Sequence, residues 1–256
     1  MSDVLAPLSE KQVAAFYRRL ASFIDKNKGQ LETSLAARLL NHWLDNRDPN
    51  ATYEFDAPDH LKAHSKVIDT FHYHRAVYLT EKKARLGGGV TKWAGAIPRL
   101  QGQKPFTPWN GSTPLTMDYQ SLVEMPLAYQ LHGSDADRDL LYSLRGFQLK
   151  TFVTLSPAKV AESKHIKVEF TRFDAQVLDR YDWNYTEYMT VPNPDFGSQS
   201  EDAVSPESQK VRVYHSNAKR LEDAKLAAPY NIATRLWRVT VAGLRKTAIL
   251  DPNKHL

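Results

Sequence analysis

The residues best suited to chemistry gather in two places. One is Tyr181-Asp182-Trp183-Asn184-Tyr185, continuing through Glu187 to Val191-Pro192-Asn193-Pro194-Asp195-Phe196-Gly197-Ser198, where carboxylates stand among aromatic and turn-forming residues. Asp182, Glu187 and Asp195 are candidates for a general acid and base in glycosidic or ester chemistry, with His215 contributing from the next strand. Two carboxylates divide such work only where their surroundings drive their pKa values apart, which spacing does not reveal. A structural alternative fits the same residues: an Asx-type turn at Asp195, and one strand face carrying Tyr181, Trp183 and Tyr185.

The second place is a histidine cluster, His60, His64, His72 and His74. On a helix His60 and His64 sit one turn apart, a spacing at which two imidazoles can chelate a metal, with Asp59 beside them. No Glu follows His60, so the metalloprotease pattern is absent and a third ligand has to come from elsewhere. His72 lies two turns from His64, roughly 12 Å along the axis, too far to share the ion. Surface or hydrogen-bonded histidines are the plainer alternative. No serine stands in G-x-S-x-G, and Gly87-Gly88-Gly89 matches neither dinucleotide nor Walker patterns, so no cofactor is expected.

The elements that must position these residues change character along the chain. Ser9 and Gln12 spell a capping box before Val13, Phe16, Tyr17, Leu20 and Ile24, predicting a helix from about Glu10 to Lys26. A second helix starts near Thr33 or Ser34 and stops before the Asp45 to Asn50 turn cluster, and Tyr53 to Phe55 reads as extended. Pro58-Asp59 opens the longest helical pattern, from about Asp59 to Arg85, with Leu61, His64, Ile68, Phe71, His72, Arg75, Tyr78 and Leu79 on one face. Val90 to Pro114 is rich in Pro and Gly and reads as a loop. Thereafter alternation marks strands at Phe147 to Leu155, His165 to Phe173, Val177 to Trp183, Lys210 to His215 and Trp237 to Val241. A helical turn is expected after Pro157, a short helix at Asn217 to Leu226 and a mobile loop at Gly197 to Ser208. Helices first and strands later predict an α+β fold with a mainly antiparallel sheet and short helices. The expected organisation is a helical region at 1–89, a loop-rich connector at 90–114 and a sheet region at 115–256, packed as one unit.

With 256 residues, 42% of them hydrophobic, the chain has ample material for a core. Its formal charge of +5 is unevenly placed: Gln209 to Leu256 holds ten Lys or Arg against three acids, leaving −2 for the residues before it. A basic face can meet an acidic partner, anionic lipid or nucleic acid, although a solvated surface is commoner and no nucleic-acid motif is present. The absence of cysteine removes disulfides, thiolate zinc sites and a cysteine nucleophile. Met1 to Leu8 shows no cleavable signal pattern, and no unbroken apolar run is long enough to span a bilayer.

Several runs resemble an uncharacterised bacterial family encoded near type VI secretion spike genes. They are Asn41-His42-Trp43-Leu44, His74-Arg75-Ala76-Val77-Tyr78-Leu79-Thr80, Leu144-Arg145-Gly146-Phe147-Gln148-Leu149, Tyr181-Asp182-Trp183, Val191 to Ser198 and Val213 to Glu222. The resemblance implies cargo, or a cargo-associated factor, of a contact-dependent secretion machine. The leading expectation is an antibacterial effector or toxin, cytoplasmic in the producing bacterium and injected without a cleavable signal, acting as a hydrolase through the acidic aromatic stretch and His215. It implies a secretion spike protein or adaptor as partner, and a cognate immunity protein. A non-enzymatic adaptor or chaperone that loads an effector on the spike is the alternative, with 90–114 and the basic C-terminal region as contact surfaces. The resemblance carries over no catalytic residue.

Overall fold

Two serines set the first helices in place. In the computed structural model, which describes residues 5–79, 115–160, 165–183, 188–195 and 210–251, Gln12 Oε1 accepts the Ser9 N–H at 2.9 Å and α1 runs Glu10–Lys26. Ser34 Oγ accepts from Ala37 N at 3.1 Å and opens α2, Leu35–Asp45, as expected. The other described elements are β1 (Thr52–Phe55), α3 (Asp59–Lys62), α4 (Ser65–Leu79), β2 (Leu115–Glu124), α5 (Tyr129–His132), α6 (Asp135–Leu144), β3 (Gly146–Lys159), β4 (Ile166–Tyr181), β5 (Tyr188–Pro192), β6 (Lys210–Tyr214), α7 (His215–Asp223), β7 (Tyr230–Thr234), β8 (Trp237–Arg238) and β9 (Ala248–Leu250). The protein is α+β, its first long helices preceding most of its strands. The triple glycine, the 90–114 connector, Glu187 and the Gly197 to Ser208 loop lie outside the described residues.

The chain forms two compact units, each assembled from three separated stretches. Unit 1 is Met1–Glu54, Glu124–Gly146 and Asp179–Ala233; unit 2 is Phe55–Val123, Phe147–Leu178 and Thr234–Leu256. In unit 1, α1 packs on α2, and Asp139 of α6 binds the start of α2, accepting from Ser34 Oγ (2.6 Å), Leu35 N (2.9 Å) and Ala36 N (3.1 Å). A carboxylate there satisfies helix-start donors and the helix dipole together. Gly29 has φ +62°, and a Cβ there would lie 1.8 Å from Asp135 Oδ2, so only glycine fits. Trp43, Tyr17 and Trp183 form an aromatic cluster with centroids 5.4–5.7 Å apart. β5 and β6 pair antiparallel, Tyr188 opposite Tyr214.

In unit 2, β4 pairs antiparallel with β3 in register from Gln148↔Leu178 to Lys159↔Ile166, with one irregularity between Thr154 and Leu155. β3 therefore continues through Pro157, where a helical turn was expected, and β4 absorbs the two strands expected at 165–173 and 177–183. Strand order runs β4-β3-β2, with β8 and β9 also on β4. β1 and β7, which belong mostly to unit 1, are parallel: Asn231 N bonds to Ala51 O and Arg235 N to Phe55 O, both at 2.8 Å, so the two strands advance together.

The single helix expected from Asp59 breaks at Ala63-His64. His64 caps α4: its carbonyl accepts from Val67 N and Ile68 N at 3.0 Å, and its Nδ1 accepts from Lys66 N at 3.2 Å. Restarting the helix there sets its inward stripe to Val67, Phe71, His74 and Tyr78, so His72, expected on the inner face, is exposed and His74 is buried. His74 Nδ1 meets Thr151 Oγ1 at 2.8 Å and Nε2 meets Ser121 Oγ at 2.7 Å, while Tyr78 OH donates to Thr151 O at 3.0 Å. Burial pushes the His74 pKa down to about 4.

Candidate functional site

Strand alternation carries the chemistry of unit 1. Val177, Asp179 and Tyr181 share one face of β4, and that period of two takes a carboxylate inward between apolar neighbours. Burial, with a smaller contribution from the nearby charge of Asp182, raises the Asp179 pKa to about 7 against the lowering effect of a backbone hydrogen bond from Arg180. Asp179 lines a cavity of about 290 Å³ together with Asp182, Trp183, Met189, Arg145 and His215. The end of β4 and the residues after it form one wall, the end of α6 another, and α7 supplies His215 at its first position.

The acidic aromatic stretch singled out in the sequence is thus part of a cavity, and the structure brings two of its candidates together. Asp182 is 59% exposed at its side chain, with Arg180 Nε 3.8 Å away. Arg180 is itself held by Asn231 Oδ1 (3.1 Å) and the Pro49 carbonyl (3.3 Å). His215 is buried edge-on to Trp183, centroids 5.0 Å apart at 87°. Trp183 Nε1 is buried and has no hydrogen-bond partner among the described residues, which leaves a donor on a cavity-lining ring. Burial holds the Tyr181 phenol protonated, its pKa raised.

Asp195 is placed elsewhere. Its carboxylate takes both Arg19 Nε (2.7 Å) and Nη2 (3.1 Å), and its N–H donates to Asn193 Oδ1 at 3.1 Å, the Asx turn that was the structural alternative. A fork-to-fork ion pair orients α1 against the residues after β5 rather than lining the cavity. His60 and His64 both lie in unit 2, His60 in α3 and His64 at the helix break, where it caps α4. Among the described residues no group of three or more His, Cys, Asp or Glu is arranged to hold a metal ion.

Two residues that the sequence reading missed complete the cavity. Asp179 had a signal, since the Val177 to Tyr181 alternation places it inward. Arg145 had none: it follows α6 with φ +28° and ψ −56°, a conformation that non-glycine residues rarely adopt. Much of the C-terminal basic character is locally matched, with Lys219 on Glu222 (2.6 Å), Arg220 on Glu10 (3.1 Å), Arg235 on Asp56 (3.3 Å) and Arg238 on Asp174 (2.6 Å). No helix among the described residues is long and apolar enough to cross a membrane.

Comparison with protein-family models, curated proteins and solved structures finds no match to this chain.

Proposed function

We propose that the protein is a hydrolase whose reacting groups are Asp179, His215 and Asp182, and that it serves as an antibacterial effector of type VI secretion. The observation that carries the enzymatic reading is the raised pKa of Asp179 on the wall of a cavity that also holds an imidazole and a second carboxylate. A carboxyl near half-protonation at neutral pH gives its proton to a leaving group, while His215 takes a proton from the attacking water. The elements of water add across the cleaved bond, and Asp182, exposed beside Arg180, opposes any second negative charge on Asp179. The secretion role rests on the sequence resemblance, as do the spike partner and the cognate immunity protein.

The test is growth of a bacterial host expressing the chain in its cytoplasm or, through an added signal peptide, in its periplasm. Growth arrest in one compartment, abolished by Asp179→Asn and by His215→Gln in soluble folded protein, is expected. The adaptor reading has one observation in its favour, the exposed Leu127 (61%) and Tyr188 (50%) of unit 1. Absence of any growth defect, with co-purification of a neighbouring gene's product, would replace the enzyme with the adaptor.

A further inference from the structure

The ribbon of β5 and β6 in unit 1 has two unlike faces. Tyr188 stands opposite Tyr214 and Thr190 opposite Arg212; the alternate pairs are Met189 with Val213 and Val191 with Val211. Val191 and Val213 are buried, so the period of two turns Tyr188, Thr190, Arg212, Tyr214 and Lys210 to the outer face. Tyr188 is 50% exposed there, and Lys210 is exposed as well. The two tyrosine rings lie 5.6 Å apart at 48°, and the Arg212 guanidinium is 4.7 Å from the Tyr188 centroid.

The charge of this face is unmatched. A few residues on, Lys219 and Arg220 are met by Glu222 and Glu10. β5 and β6 contain no acid, and neither Lys210 nor Arg212 has an ion-pair partner among the described residues. The outer edge of β5 is closed to an added peptide strand, because Thr190 O already accepts from Gln130 Nε2 (2.7 Å) and Tyr142 OH (3.4 Å). What stays open is the face itself. Along β6 it presents a cation, a second cation and a ring at strand steps of about 6.7 Å.

We propose that this face binds single-stranded nucleic acid, with a base stacked on Tyr188 and phosphates on Arg212 and Lys210. Every base has a planar surface for an exposed ring, and a phosphodiester chain repeats its charge at each unit, as a row of unmatched cations requires. An acidic peptide would meet the cations and leave the rings without a role. None of these residues lines the Asp179 cavity, so binding here is separate from the proposed hydrolysis.

Fluorescence anisotropy of the full chain with a labelled oligothymidine of about 12 nucleotides, with polyglutamate and anionic lipid vesicles as competitors, tests it. Binding is expected with a slope of log K against log salt of about −1.4, from two neutralised phosphates. Arg212→Gln should bring the slope to about −0.7. Tyr188→Leu should weaken binding about 5- to 150-fold, the loss of one stacked base, and Tyr188→Phe should preserve it. The slope should survive in Tyr188→Leu, which shows that the ribbon is still formed. No binding, full affinity in Tyr188→Leu, an unchanged slope in Arg212→Gln, or equally tight binding of polyglutamate or of the vesicles would each overturn the proposal.

Discussion

Each unit of this protein buries an ionisable group, and the two burials differ in kind. In unit 2 the His74 ring is enclosed, with hydroxyls of Thr151 and Ser121 at its two nitrogens. In unit 1 Asp179 stands on a cavity wall beside Asp182, Trp183 and His215. Desolvation is the leading cause of both pKa shifts, yet it holds the histidine neutral and satisfied while leaving the acid poised near neutrality. A perturbed pKa therefore points to chemistry only where space for a reactant adjoins it.

The largest effect that would sharpen this contrast is on turnover. Asp179→Asn should lower activity by about 100- to 10,000-fold, the usual range for a lost acid or base, read as loss of growth inhibition. The same substitution should stabilise the fold at pH 8. The folded pKa of about 7 lies above the unfolded 3.8, so ionised Asp179 destabilises the folded state fully above pH 7 and not at all below pH 3.8. The gain is on the order of 4 kcal/mol at pH 8 and should fade at pH 4, as measured by denaturant unfolding at the two pH values. Loss of stability at pH 8 would make Asp179 a structural residue and break the contrast.

His74 should behave in the opposite sense. Its folded pKa of about 4 lies below the unfolded 6.5, so the stability it contributes is complete above pH 6.5 and lost as pH falls toward 4. About 3 kcal/mol is at stake, and amide exchange in β2 and β3 should quicken through that window. A flat profile there would show that the ring is reached by solvent. Next in size, Asp139→Ala strips the start of α2 of a carboxylate accepting three donors and should cost about 2–3 kcal/mol, visible as a lowered unfolding midpoint. The smallest effect is Arg145→Gly, where relief of the positive φ contributes about 0.5–1 kcal/mol in favour of the fold, read as the change in unfolding midpoint relative to Arg145→Ala, which keeps the backbone strain.

Local signals carried far in this sequence and then stopped at identifiable places. The Ser9 and Ser34 caps marked α1 and α2 because a hydroxyl before an apolar period is a direct statement about helix-start donors. The break at His64 was hidden because histidine is an uncommon cap, and an unbroken helical period ran across it. α6 escaped although Ser134 and Asp137 form a reciprocal box (2.8 and 3.1 Å), since aspartate replaces the longer Glu or Gln of the usual pattern. Asp182 and His215 were legible as reactive types in turn-rich surroundings. Their convergence was not, because it depends on where α7 lands after β6, and Asp195, equally suggestive in sequence, is taken up by Arg19.

The three-stretch construction of each unit bears on how the polypeptide is made. The final strand of unit 1, β7, leaves the ribosome only after Tyr230, and β8 and β9 of unit 2 come later still. Neither unit can close before those strands have been made, so the nascent polypeptide carries apolar residues of both units unsheltered until then. A stop codon before Tyr230 would leave both units without a closing strand, and a premature fragment would be a substrate for chaperones and proteases rather than half of a working protein.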